Sequence, residues 1–315
     1  MLAVKTLPLK LVIFRRNMYL MGTRFEISVV GNDPNWADER IDDAVTEINR
    51  VEKLISAFND DSIVNEINRN AGIKPVKADA EIFRLIDRSL KISELTQGTF
   101  DITYNSYGKR ATDFDEKTST KSSGKIHLSK TNHQNVVLDA KAQTVFLKEK
   151  GLRIGFGANG KGYAADRAKY ILQMQGVGRG VINAGGDLLT WGLQPNNEPW
   201  TVAAADPEQY GKPFANIAIS DMAIATSINA GQQTAAINKK YLNAIDPKEG
   251  FPVSGIKSVS ILSTCAELAD AMASPVMSMG INAGLYLINQ LNQIACVIID
   301  DHDRVYSSKD ICINN

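Results

Sequence analysis

The stretch that most limits how this chain can fold is RIGFGANGKGYAADRA, residues 153–168, where two glycine-rich patterns overlap at the start of a helix. Gly155-Phe156-Gly157-Ala158-Asn159-Gly160 reads as GxGxxG, and Lys161 extends it to GxxxxGK. Ala164, Ala168, Ile171 and Leu172 then place an apolar face on a helix from Lys161 to Gln175, and Gly176 to Gly180 stop it. Strand-like NVVLD and TVFLKE precede the glycines and GVINAGGD follows the helix, so the pattern predicts a β-turn-helix-β unit. A phosphate-binding P-loop needs Ser or Thr after the lysine to ligate magnesium, and Gly162 stands there. A Rossmann turn wants a ribose-binding acid at the end of the next strand; the candidate, Asp187, follows a second glycine turn, Gly185-Gly186. What the two turns share is glycine, which lets a ligand approach backbone amides closely, and Lys161 adds a point charge suited to a phosphate oxygen. The residues point to a pyrophosphate site of another type.

With 44% hydrophobic and 22% charged residues among 315, the chain can bury one or two sizeable cores. Its 35 basic and 35 acidic side chains balance, so no nucleic-acid partner is expected. Cys265, Cys296 and Cys312, with His127, His133 and His302, show neither zinc-ligand spacing nor a disulfide framework. No apolar window reaches the roughly 18 residues of a spanning helix. Near the start, Lys5, Pro8 and Lys10 interrupt MLAVKTLPLKLVIFRR, and neither a cleavage site nor a lipid-accepting cysteine follows, so no signal peptide or lipobox is read and localisation stays unknown.

TRFEISVVG (residues 23–31) alternates as a half-buried strand, and helices are expected from Trp36 to Leu54 and from Ala80 to Thr96. Residues 106–129 read as a polar surface loop. WTVAAAD, FANIAIS, SVSILS and ACVIIDD suggest further strands, and ELADAMASPVMSMG and AGLYLINQLNQ further helices. The expected class is one compact α+β chain of mixed sheets and helices.

A third stretch, STCAELADAMAS, offers Thr264-Cys265-Ala266-Glu267 as a capping box. Asp270 and Ser274 would then lie four apart on one helical face, able to converge on a hard cation such as Mg2+. A solvated aspartate beside a buried serine is the plainer reading of the same spacing. Pro275 should kink or end that helix.

Taken in order, MGTRFEISV, SAFNDDSIVNEIN, GTFDIT, NVVLD, GKGYAADRA, VINAGGD, YLNAIDPKEGFPV and SVSILSTCAELADAMAS resemble the FAD:protein FMN transferase (ApbE) family over nearly the whole chain. The resemblance implies an ApbE-like, T-fold-related architecture that is not Rossmann, one flavin transferase domain over residues 1–315, and an N-terminal extension over 1–17. It implies that FAD is the substrate, that Mg2+ assists cleavage of its pyrophosphate, and that FMN passes to a Ser or Thr of an acceptor protein with release of AMP. By the same resemblance Asp270 and Ser274, with the Gly160 carbonyl, would hold the metal. Met21, Thr23, Asp101, Lys161, Asn183, Gly185, Gly186, Asp187 and Thr226 would line the flavin site, and Asp246 shares that role. The acceptor would be a redox membrane protein subunit with a short Asp- and Thr-containing segment, and family members commonly work in the periplasm or at a membrane.

Departures fall mainly on the acceptor side. Where the family has His before its Ile-Asp-Pro turn, this chain has Asn243, which cannot take a proton near pH 7, leaving Asp246 as the substitute base. The family's Asp is Gly155 here, and its usual Thr is Ser274. Three readings follow: an FMN transferase, an FAD-binding relative that hydrolyses FAD to FMN and AMP, and a nicotinamide oxidoreductase.

Overall fold

The computed structural model describes residues 10–57, 59–103, 132–205, 213–229 and 255–309. Strands β1 (Val12–Leu20) and β2 (Thr23–Gly31) form a hairpin whose two-residue loop, Met21-Gly22, has positive φ at both positions, as a type I′ turn requires. Residues 12–17 are part of the sheet, each paired across to β2. Helix α1 (Pro34–Ile55) follows, capped by Asp33 with Pro34 in its first turn. It buries Ile41, Ala44, Ile48 and Val51, and each such Ile or Val contributes about 1.5–3 kcal/mol on leaving water. Next come α2 (Ile63–Arg69), β3 (Val76–Lys77) and α3 (Ala80–Leu95), then β4 (Val136–Asp139) and β5 (Thr144–Leu147). Beyond α4 (Gly160–Met174) lie β6 (Gly180–Ala184), β7 (Asp187–Trp191), β8 (Trp200–Ala205), β9 (Pro213–Ile219) and β10 (Ala223–Ile228). The chain continues with β11 (Ile256–Ser263), α5 (Ala266–Met279), α6 (Ile281–Ile288), β12 (Ile294–Asp300) and β13 (Val305–Ser307).

Among the described residues the main sheet has eight strands in the order β1-β2-β6-β7-β10-β11-β12-β13, with antiparallel pairing throughout. This is an α+β arrangement, and the parallel sheet of a Rossmann fold is absent among the described strands. The expected β-turn-helix-β order is present as β5, α4 and β6, with its two strands in different sheets: β5 in a small sheet with β3 and β4, β6 in the main sheet. Glycine turns and a helix flanked by strands signal a connection, but strand partners are set by tertiary packing.

The strand alternation sorts residues onto two faces. Phe25, Ile27, Val29, Ile182, Ala184 and Leu189 point into the core beneath α1, α4 and α5. On the opposite face, Leu188, Ile224, Leu262 and Val297 form a second, smaller apolar cluster with Ile219 and Met222. Near the β1–β2 turn that outer face carries the polar Asn17, Arg24, Glu26 and Asn183 beside the exposed Tyr19.

One expectation about α5 needs correction. Its N-cap is Cys265, which makes no side-chain capping bond, and no Thr264–Glu267 box forms. Glu267 instead pairs with Arg88 of α3 at 2.8 Å, and Asp166 of α4 accepts from the amides of Ala266 (3.0 Å) and Glu267 (2.8 Å). A carboxylate from a neighbouring helix outcompetes the local cap because it satisfies two free amides at once and carries charge to the positive helix end. Of the two outcomes expected at Pro275, an end is ruled out, since α5 runs on to Met279 with Pro275 buried inside it. Asp166→Ala should therefore lower stability by about 1–2 kcal/mol, a helix cap's worth, read as a shift in the denaturant midpoint.

Candidate active site

Three elements converge at one end of the main sheet on its helix-covered face. Lys161, in the first turn of α4, lies 3.3 Å from Asp270 Oδ1 and 3.4 Å from Oδ2. Asp187, the first residue of β7, reaches the same ammonium at 3.7 Å. The Gly162 amide donates to Asp270 Oδ2 at 3.1 Å, so the start of α4 offers both a cation and a backbone donor to the carboxylate of α5. This approach depends on glycine: a Cβ on residue 162 would stand 2.3 Å from the Ala266 carbonyl oxygen.

Ser274, one turn beyond Asp270, has its hydroxyl 3.3 Å from that of Ser227. Ser227 was not singled out by sequence reasoning. The available signal was alternation, since Ser227 follows Thr226 and must face the other way. The structure turns the Thr226 side chain to the outer face, where its hydroxyl lies 2.9 Å from Ser260 Oγ; only its backbone serves the site, donating to Asp187 Oδ1 at 3.2 Å.

The other predicted residues divide. Met21, held at φ +50°, donates its N–H to Glu52 Oε2 at 3.3 Å and packs toward Gly160, whose surroundings also include Ile55 and Phe156. Thr23 packs against Gly185 at the glycine turn. That turn does not present bare amides as expected: Gly185 N–H donates to the Arg24 carbonyl (2.9 Å) and Gly186 N–H to Asn183 Oδ1 (2.8 Å). Asp101 is occupied in its own turn, accepting from the amide and hydroxyl of Thr103 and the amide of His133. The segment with Asn243 and Asp246 lies outside the described residues, as does the 106–129 loop.

Electrostatics favour a cation at this cluster. Burial pushes Asp270 up to about 6, with Lys161 opposing and Asp187 reinforcing the rise. Asp187 is also raised, again chiefly by burial and against Lys161. Two carboxylates sharing one ammonium leave a net negative, all-oxygen donor set with the Ser227 and Ser274 hydroxyls nearby, which suits Mg2+. In the metal-free chain the folded state holds the Asp270 proton more tightly than the unfolded state, whose value is near 3.8. The sign follows: stability is greatest below that value and falls as pH rises through about 6. In chelator, urea midpoints should therefore favour Asp270→Asn over wild type by an amount that grows from pH 4 to pH 8, reaching on the order of 2 kcal/mol.

The ApbE family matches residues 21–298. An FAD:protein FMN transferase of Klebsiella pneumoniae is 25% identical over 94% of this chain and 92% of its own. One from Treponema pallidum is 24% identical over 95% of this chain and 87% of its own. In fold, the chain is similar to the ApbE protein of Thermotoga maritima, with a TM-score of 0.81 and 24% identity over 95% of this chain and 97% of that one. The flavin transferase ApbE of Vibrio cholerae also has a TM-score of 0.81, at 22% identity over 95% and 98%.

Proposed function

The chain belongs to the ApbE family, and on that premise we propose that it transfers FMN from FAD to a hydroxyl of an acceptor protein, with Mg2+ and with release of AMP. The observation that carries the reading is the meeting of Lys161, Asp187 and Asp270 at the head of α4. Asp270 and Ser274, with the Gly160 carbonyl, would hold the metal, which supplies charge neutralisation at a pyrophosphate. Lys161 binds a phosphate oxygen and stabilises charge as it develops there. Asp187 restrains Lys161 from the strand side, and the Gly162 amide fixes Asp270. Met21 and Thr23 border the flavin from the β1–β2 turn.

In the transfer the acceptor oxygen bonds to the FMN phosphorus as that phosphorus separates from the bridging oxygen. The bridging oxygen leaves with AMP, and Asp246 receives the hydroxyl proton. The acceptor is a redox membrane protein subunit. No helix among the described residues is long and apolar enough to cross a membrane.

One observation favours a second reading: Asn243 stands where the family has its histidine, which would leave FAD hydrolysis without transfer. Incubating the protein with FAD, Mg2+ and an acceptor domain separates the two. A covalent FMN mass increment on the acceptor, together with AMP, supports transfer; AMP and free FMN with unlabelled acceptor supports hydrolysis.

A further inference from the structure

The outer face of the sheet carries a groove of about 400 Å³ that shares Thr23, Asn183, Gly185 and Gly186 with the residues given to the flavin site and adds Asn17, Arg24 and Glu26, to which no role has been given. Its walls are Asn17 of β1, Arg24 and Glu26 of β2 and Asn183 of β6, and Gly185-Gly186 forms its rim. Asn17 and Asn183 flank Glu26 in direct cross-strand register, so the three stand in a row across the strands. Arg24, two residues from Glu26, shares that face and donates from Nε and Nη2 to Asn17 Oδ1 at 3.1 and 3.0 Å.

Two features indicate what this row would take. The Glu26 carboxylate and the Asn183 amide nitrogen have no partner among the described residues, so the groove presents an open acceptor beside an open donor. The lining side chains all carry polar groups, which suits the alternating N–H and C=O groups of an extended polypeptide. The second consideration is position. Residues 185 and 186 bound the groove, and the next residue, Asp187, enters the Lys161–Asp270 cluster on the other face. A chain lying in the groove thus needs to cross only a rim without side chains to bring a hydroxyl to that cluster; the rim is open at Gly186, where a Cβ would meet nothing within 4 Å, and closed by Thr23 at Gly185.

We propose that the Asn17–Glu26–Asn183 groove is the docking site for the segment of the acceptor protein that carries the modified hydroxyl. The inference rests on the transferase reading, and its test distinguishes the two. Labelling rates are measured against the concentration of an acceptor domain carrying an Asp- and Thr-containing segment, for wild type, Glu26→Lys and Asn17→Lys. FAD affinity is followed separately by flavin fluorescence, and melting curves confirm that each variant is folded. The expected result is an acceptor KM raised about tenfold in both variants, with kcat and FAD affinity within about twofold of wild type. Unchanged acceptor KM in both variants, with wild type active, overturns the groove and leaves the transferase standing. FAD affinity falling in step with KM also overturns it, since the groove would then belong to the FAD site. Wild-type protein that binds FAD and labels no acceptor overturns both readings.

Discussion

Asp270→Ala protein should remain folded, bind FAD weakly and lose FMN transfer by about a hundredfold to a thousandfold, the scale on which removing one electrostatic stabiliser of a developing charge is felt. The fold survives because burial already disfavours the charged carboxylate, and because Lys161 keeps Asp187 as a neighbour at 3.7 Å. The Gly162 amide loses its acceptor, a local cost of about 1–3 kcal/mol that a water entering the vacated space reduces. Transfer is lost because the cluster then has one carboxylate where two faced the cation. Acceptor mass spectrometry across a magnesium titration checks it: a variant with wild-type labelling at the same magnesium concentration would remove Asp270 from the site.

The second large effect comes from a single methyl group. Gly162→Ala places a Cβ 2.3 Å from the Ala266 oxygen, 2.6 Å from its carbonyl carbon and 2.8 Å from the Glu267 nitrogen, all of them backbone. None of these atoms can swing aside as a side chain would, so the first turns of α4 and α5 must separate. Alanine gains about 1 kcal/mol over glycine in helix propensity, whereas overpacking of this kind costs about 1–3 kcal/mol and occasionally more. The clash wins. Separation also draws Asp270 from Lys161 and the residue 162 amide, so a lowered melting temperature and lost labelling should appear together. Full activity with an unshifted melt would show that the helices tolerate a wider approach.

How much of this was legible in the sequence depends on the range of the interaction involved. Strand β2 and helices α1, α3 and α4 could be read to within two residues, because each carries its own periodicity and its own stop signals. Lys161, Asp187, Asp270 and Ser274 were named from glycine turns, i,i+4 spacing and family resemblance, and the structure brings Asp187 and Asp270 within 3.7 Å of the Lys161 ammonium. The Thr226 side chain lies on the outer face while its neighbour Ser227 looks toward α5, a distinction that needs the register against β11. The amides of Gly185 and Gly186 failed on satisfaction, since Arg24 lies on another strand and the Asn183 side chain folds back into the turn. Strand β1 was missed because its alternation is masked by arginines at positions 15 and 16, and its stability comes from pairing with β2.

The cap on α5 has a consequence for how the protein is made. Asp166 and Ala266 are 100 residues apart, so the start of that helix has no fixing partner until a long loop has closed. Closing such a loop is entropically unfavourable and precedes the contacts that reward it. A chain emerging during synthesis can wind α4 early, from its own apolar face, but the seat of Asp270 becomes defined only when residue 266 has arrived and docked. The reactive corner of the molecule is thus among the last parts to assemble, and partly folded chains carry the lysine without its carboxylate.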